Sequence, residues 1–137
     1  MGHFAEFPVF YAQSHYDPKH LDQIVGFSCT NAFHSLSECP KGDRQKIQDY
    51  SHKVKSSVKD LVESREGNGV WSISCVIHQI LGSKYGDSRY AVPMGHDMAA
   101  LAVQKWVNGQ KVVLMDEKDW PSNANCAHKL LSSLSIE

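Results

Sequence analysis

Two side chains with catalytic potential follow apolar segments that are typical of buried strands. Asp17 comes shortly after residues 7–12, and His78 closes residues 70–78. A histidine beside a carboxylate can take the proton of a nucleophile and return it to a leaving group, while the carboxylate fixes the tautomer of the ring. The two residues are therefore predicted to be the acid and the base of a nucleophilic hydrolase.

The elements around these residues alternate between strands and helices. Residues 7–13 and 70–77 are rich in aromatic and β-branched side chains, which favours strands, and residues 111–115 form a shorter apolar run. A helix is predicted between the first two strands, from an N-cap at Asp43 to the turn at 67–69. Its apolar residues recur at helical spacing: Ile47, Tyr50, Val54, Val58, Leu61 and Val62.

A second helix is predicted to begin at Val92 and Pro93 and to reach Trp106. The order of strand, helix, strand and helix predicts an α/β fold with parallel strands. Because the carboxyl ends of parallel strands lie along one edge of a sheet, Asp17 and His78 are expected to meet there.

Other polar and aromatic residues have simpler interpretations. His15 and His20 flank Asp17 and are predicted to be solvated loop histidines, and His96 and Asp97 are predicted to cap the second helix. The charged residues of the first helix are predicted to form an exposed face: Asp43, Arg44, Lys46, Asp49, Lys53 and Lys55. The three tryptophans fit either a core or the wall of a substrate site: Trp71, Trp106 and Trp120.

Composition excludes several classes of function. The chain of 137 residues is 42% hydrophobic and 21% charged, with a formal net charge of −1, so it has no basic excess to bind a nucleic acid. No apolar run approaches the roughly 20 residues that span a bilayer. The first residues contain neither the basic stretch nor the apolar segment of a signal peptide.

Five collinear segments resemble the C-terminal part of the pectin acetylesterase/Notum family of carboxylesterases, which are α/β-hydrolases. They are PVFYAQSHYD at 8–17, the cysteines Cys29 and Cys39 with the helix at 45–61, GVWSISCVIH at 69–78, AVQKW at 102–106 and WPSNANC at 120–126. The resemblance implies that Asp17 and His78 are the acid and the histidine of a catalytic triad. It also implies the C-terminal portion of an α/β-hydrolase sheet, with mostly parallel strands flanked by helices.

The nucleophile of that triad is the missing part. In α/β-hydrolases the serine precedes the acid and lies in a Gly-x-Ser-x-Gly turn, and no such turn occurs in these 137 residues. Residues 1–137 are therefore expected to form a single partial domain, the C-terminal portion of a serine carboxylesterase that hydrolyses O-acyl esters. The chain alone is expected to be inactive, because an acid and a histidine without a nucleophile cannot form an acyl-enzyme.

The resemblance also implies partners and a location. An N-terminal half that carried the serine would complete a site for an acylated glycan or an acylated protein. The alternative is a truncated, non-catalytic binding or assembly subunit, in which a partner protein would cover the open edge of the sheet. Family resemblance and cysteine content favour secretion, although no signal peptide is present in the sequence.

The four cysteines include no CxxC pair, so no zinc site is predicted, and no other metal or cofactor is expected. Cys75 is three residues from His78 and could be considered as a nucleophile. On an extended strand that spacing would place the two side chains on opposite faces, which favours a disulfide. Four cysteines allow three pairings, and the resemblance favours Cys29 with Cys39 and Cys75 with Cys126.

Overall fold

The protein is an α/β structure built on a short parallel sheet. The computed structural model describes residues 7–30, 36–76, 78 and 99–122. The strands are β1 (Phe10–Ser14), β2 (Gly69–Ile73) and β3 (Val113–Met115), in the order β1-β2-β3 with both pairings parallel. The helices are α1 (Pro18–His20), which continues into a π-helical segment (Leu21–Val25), then a 3-10 turn (Ser28–Thr30), α2 (Lys41–Glu63) and α3 (Ala99–Val107). The predicted α/β class is confirmed.

The register of the sheet determines which strand ends lie next to each other. Phe10 is paired with Gly69 and Ser14 with Ile73, so β1 and β2 begin and end at the same level. On the other side of β2, Ser72 is paired with Met115 at the end of β3. The chain therefore leaves all three strands at one edge, which we call the carboxyl edge.

The two faces of the sheet are covered by different helices. On one face Trp71 and Ile73 of β2 pack with Ala99 and Ala102 of α3. Val70 belongs to the other cluster, which contains Val58 of α2 together with Met115 and half-buried Tyr11. Because side chains alternate along a strand, α2 and α3 lie on opposite faces.

A third apolar cluster stabilises the carboxyl edge. Tyr16, Leu21, Leu36, Ile47 and Val76 are buried together beyond the ends of the strands, with Cys39 among them. The turn after β1, the N-terminal half of α2 and the segment after β2 all contribute to it. The segments that carry Asp17 and lead to His78 are therefore anchored in one apolar core.

The boundaries of α2 differ from the prediction. The helix begins at Lys41 with Pro40 as its N-cap, so Asp43 lies in the first turn instead of capping the helix. A carboxylate in the first turn is favourable because it faces the positive end of the helix dipole. The predicted exposed face includes Lys55, but this residue is only 8% exposed and shares the buried face with Ile47, Ser51 and Val58.

The remaining elements occupy parts of their predicted ranges. β1 begins later than residue 7, β2 ends at Ile73, and β3 covers Val113–Met115. The start of the second predicted helix at 92–98, with His96 and Asp97, lies outside the described residues. Among the residues that the structure describes, none of the helices is long and apolar enough to cross a membrane.

Gly69 lies where β2 packs closely against the rings of Phe10 and Trp106. A Cβ atom at this position would lie 2.7 Å from Trp106 Cδ1 and 2.8 Å from Phe10 Cδ2. The indole has little freedom to move away, because Trp106 Nε1 donates a 2.7 Å hydrogen bond to the carbonyl oxygen of Gly67. The glycine is needed here for its lack of a side chain.

We expect Gly69→Ala to lower the free energy of unfolding by about 1–3 kcal/mol, since overpacking forces the strand or the rings to shift. Gly42→Ala is the matched control, because a methyl group at this position would have nothing within 4 Å and alanine favours a helix by up to about 1 kcal/mol. Urea unfolding followed by tryptophan fluorescence measures both changes. Equal effects of the two substitutions would contradict this description of the packing.

Candidate active site

Asp17 is fixed by the turn that joins β1 to α1. Pro18 favours an extended conformation at the preceding residue, and Asp17 has φ −63° and ψ 114°. From this position its Oδ1 accepts hydrogen bonds from the backbone N–H groups of Lys19 at 2.8 Å and His20 at 3.4 Å. The carboxylate is therefore an N-cap, and its side chain is only 8% exposed.

His78 contacts this carboxylate directly. Its Nδ1 lies 3.0 Å from Oδ1 and 3.0 Å from Oδ2 of Asp17. The histidine side chain is 50% exposed, so the acid lies on the inner side of the pair and the imidazole on the outer side. With Nδ1–H donated to the carboxylate, Nε2 is the nitrogen that carries the lone pair and can accept a proton from a third group.

The geometry therefore brings together the two residues that the sequence singled out. Their contact has the form of the acid and histidine of a nucleophilic triad, in which a carboxylate holds the imidazole by Nδ1–H. Their catalytic role stays a prediction.

Two tyrosines, Tyr11 and Tyr50, lie within electrostatic range of the acid. Burial raises the pKa of Tyr11, and the nearby Tyr50 and Asp17 raise it further; burial and Asp17 likewise raise the pKa of Tyr50. Both phenols therefore stay protonated beside the carboxylate. The hydroxyl of Tyr11 donates to Gln13 Oε1, and Gln13 Nε2 donates to Nδ1 of half-buried His20 at 3.2 Å. His20 is therefore held by the protein and is not simply solvated as predicted.

His15 is the largest departure from the sequence-based prediction. The prediction is a solvated loop histidine, but His15 is 0% exposed and is held between Ser72 and Ser74. Burial and the positive charge of Lys55 lower its pKa to about 3, against a smaller opposing effect of Asp119. A polar pair on one face of a buried strand, Ser72 and Ser74, is the sequence signal that could have revealed a buried polar partner.

A second acid also lies at the carboxyl edge. Asp116 directly follows β3, as Asp17 follows β1 after a short turn, and it is 2% exposed. Its Oδ2 lies 3.4 Å from the backbone nitrogen of Ser74, and its Oδ1 accepts from that of Lys118 at 3.1 Å. The sequence-based reasoning assigned no role to Asp116, which supports the segment between β2 and His78.

The tryptophans have structural contacts. Trp71 is fully buried in the core, and Trp106 packs on Phe10 with the ring centroids 5.5 Å apart. The backbone nitrogen of Trp120 donates to the hydroxyl of Tyr16 at 3.1 Å, and its carbonyl oxygen accepts from Gln48 Nε2 at 3.0 Å. The half-buried Trp106 and Trp120 side chains pack against the apolar clusters of α3 and of the carboxyl edge, so the core interpretation is favoured for all three residues.

Among the described residues, three ion pairs join α2 to the segment after β3: an exposed one between Lys59 and Glu117, with Nζ 3.6 Å from Oε2, and two that share Asp119. Lys55 Nζ lies 2.8 Å from Asp119 Oδ1, and His52 Nε2 lies 2.9 Å from Asp119 Oδ2. Partial burial opposes the charged form of Asp119, but the hydrogen bonds and charges of Lys55 and His52 outweigh it and lower the pKa of the carboxyl. These contacts explain why Lys55 is buried despite its position in a charged run.

The cysteines near the site are oxidised. Cys29 and Cys39 form a disulfide with their Cα atoms 5.2 Å apart, beside the apolar cluster of the carboxyl edge. Cys75 is also disulfide-bonded, and its predicted partner Cys126 lies outside the described residues. A bonded sulfur is not a thiolate, so the idea of Cys75 as a free nucleophile is wrong. Within the described ranges, no group of three His, Cys, Asp or Glu side chains could hold a metal ion.

A parallel sheet that presents an aspartate and a later histidine at its carboxyl edge has the arrangement of the acid and histidine segments of an α/β-hydrolase. Comparison with protein families gives the more particular assignment. The pectinacetylesterase family model matches residues 2–127, so the chain belongs to the pectinacetylesterase family. Searches of curated proteins and of solved structures gave no significant match.

The buried, neutral His15 predicts a pH dependence of stability. Its pKa falls from 6.5 to about 3 on folding, so below pH 6.5 the unfolded chain binds a proton that the folded chain does not. The stabilisation is complete above pH 6.5 and is lost toward pH 3, at about 1.4 kcal/mol per pH unit.

We therefore expect the wild-type protein to lose about 2 kcal/mol more stability than His15→Gln between pH 7 and pH 5. Chemical unfolding at a series of pH values measures the difference between the two curves, and contributions from other groups cancel in it. Parallel curves for the two proteins would show that His15 titrates normally.

Proposed function

We propose that this chain is the acid and histidine portion of a secreted serine carboxylesterase that hydrolyses O-acyl esters. The observation that carries the proposal is the contact of His78 Nδ1, at 3.0 Å, with both carboxylate oxygens of Asp17. Membership of the pectinacetylesterase family supports an ester hydrolase at the level of the family.

Each member of the pair has a defined task in this reaction. His78 Nε2 would accept the proton of a serine hydroxyl as the oxygen attacks the ester carbonyl, and would then protonate the departing alcohol. Asp17 would hold the Nδ1–H tautomer and stabilise the imidazolium. The backbone N–H groups of Lys19 and His20 fix the orientation of the carboxylate, which suits it to this task. A water molecule activated by the same Nε2 would release the acid and restore the serine.

The serine itself would come from sequence outside these 137 residues. They contain no Gly-x-Ser-x-Gly turn, and the serine precedes the acid in an α/β-hydrolase. β1 offers a place for the missing half, because among the described residues it is paired with β2 alone and its second edge is open. Strands that carry the serine would extend the sheet from this edge.

Substrate class and location follow from the same proposal. The substrate would be an acylated glycan, as the family's description suggests, or an acylated protein. A disulfide close to the acid, between Cys29 and Cys39, supports folding in an oxidising compartment and hence secretion.

The test joins the chain to the N-terminal half of a pectin acetylesterase that carries the Gly-x-Ser-x-Gly turn. The assembled protein is expected to hydrolyse a short-chain acyl ester and to react with a fluorophosphonate probe, whereas the chain alone does neither. Asp17→Asn should lower kcat by about 10⁴-fold and His78→Ala by about 10⁶-fold, as expected for the acid and the histidine of a triad.

Asp49→Asn makes the same change at an exposed position of α2 and should leave kcat unchanged. Size-exclusion chromatography establishes that each variant assembles. Labelling of a serine in the chain alone, or full activity of Asp17→Asn, would contradict the proposal.

The open edge of β1 also favours a second candidate, a non-catalytic subunit that binds or assembles through this edge. Such a subunit would form a stable complex with a partner protein that supplies no serine nucleophile. Size-exclusion chromatography with light scattering tests the need for a partner. A monomer that stays in solution at high concentration would count against this candidate.

A further inference from the structure

His15 joins the two strands that lead to the candidate catalytic pair. It lies two residues before Asp17, and its ring reaches across to the end of β2, the strand that leads to His78. His15 Nε2 is 2.6 Å from the hydroxyl oxygen of Ser72, and Nδ1 is 3.0 Å from that of Ser74. The imidazole is 0% exposed, so water does not compete for these contacts.

The hydrogen bonds select one tautomer of this ring. The hydroxyl of Ser72 donates its single hydrogen to the carbonyl oxygen of Gln13 at 3.0 Å, so it accepts from His15 Nε2–H. Nδ1 then carries the lone pair and accepts the hydroxyl hydrogen of Ser74. This pattern of hydrogen bonds favours the Nε2–H tautomer of His15, the opposite of the Nδ1–H tautomer that Asp17 favours at His78.

Further hydrogen bonds connect the two segments beyond Ser14 and Ile73, the last residue pair of the β1–β2 ladder. The backbone nitrogen of His15 donates to the carbonyl oxygen of Ile73 at 2.9 Å. Ser14 Oγ donates to the carbonyl oxygen of Cys75 and accepts from the backbone nitrogen of Tyr16 at 2.9 Å. Asp17 and His78 both follow these hydrogen-bonded residues in the chain. The distance between the two side chains therefore depends on how these hydrogen bonds hold the two segments together.

We propose that His15 is a positioning residue for the pair of Asp17 and His78. As a neutral imidazole with one donor and one acceptor, it fixes the end of β1 against Ser72 and Ser74. It thereby keeps the carboxylate of Asp17 within hydrogen-bond distance of His78 Nδ1. The importance of this role for catalysis rests on the proposed function, but the coupling itself can be measured without any activity.

The surroundings of His15 suit this role. Two charged groups act on the ring: Lys55 on α2, whose positive charge disfavours a second proton, and Asp119 after β3, which has the weaker opposite effect. Burial is the larger cause of the lowered pKa and Lys55 adds to it, and the pKa of about 3 keeps the ring neutral. The donor and acceptor pattern is therefore constant over the pH range in which an esterase works.

The test is nitrogen NMR of the histidine rings in the whole chain, because the chemical shifts of Nδ1 and Nε2 distinguish the two tautomers. In the wild-type protein we expect Nε2–H at His15 and Nδ1–H at His78. In His15→Leu, which keeps an apolar volume but removes both hydrogen bonds, the Nδ1–H form of His78 should fall from nearly all to about half or less of the population. His15→Gln should restore part of it, since an amide has a donor and an acceptor.

Single hydroxyl deletions provide a milder version of the same test. Ser74→Ala removes the donor to His15 Nδ1 and should also lower the Nδ1–H population of His78. Ser64→Ala is the matched control, because Ser64 donates to the carbonyl oxygen of Leu61 at the end of α2 and should change nothing at His78. If His15→Leu does not fold, the comparison of Ser74→Ala with Ser64→Ala decides.

An unchanged tautomer of His78 in folded His15→Leu and in Ser74→Ala would overturn the proposal, and so would an Nδ1–H tautomer of His15. Failure of the proposed function has a different signature. In that case the assembled protein shows no turnover, although the tautomers of His15 and His78 respond as described.

Discussion

The parallel pairing of β1 with β2 is the constraint on which the rest of the structure depends. It runs in register from Phe10 opposite Gly69 to Ser14 opposite Ile73, and it ends both strands at one level. As a result Asp17 and His78, which are far apart in sequence, lie next to each other just beyond the ends of these strands. At the opposite end of the pairing, the rings of Phe10 and Trp106 leave no room for a side chain at Gly69.

Apolar and polar interactions have different effects at the carboxyl edge. The apolar cluster around Tyr16, Leu21 and Val76 stabilises the loops against the sheet by the hydrophobic effect. This effect is non-directional, so it does not fix the orientation of individual side chains. Direction comes from hydrogen bonds, those of His15 with Ser72 and Ser74 and those of the Asp17 carboxylate with the N-terminus of α1. A buried polar network of this kind is favourable when its donors and acceptors are matched, as those of His15 are.

The sequence was sufficient to predict the α/β class, the three strands and the meeting of Asp17 with His78, because these follow from apolar periodicity and from the geometry of parallel strands. It was not sufficient for His15, since an isolated histidine before a Tyr-Asp-Pro turn has the same pattern whether it is solvated or buried. Only the register of β1 against β2 places it beside Ser72 and Ser74. Lys55 was wrongly predicted to be exposed for a similar reason, because Asp119, with which it pairs, lies 64 residues away in the sequence.

Asp17 determines the state of His78, because its carboxylate holds Nδ1–H and leaves Nε2 to act on a serine. The most direct measurement of this dependence is the nitrogen NMR spectrum of His78 in the wild-type protein and in Asp17→Asn. We predict a single Nδ1–H tautomer in the wild-type protein and its loss in the variant, where the amide cannot supply the charge that selects it. An identical His78 tautomer in both proteins would contradict the role of Asp17.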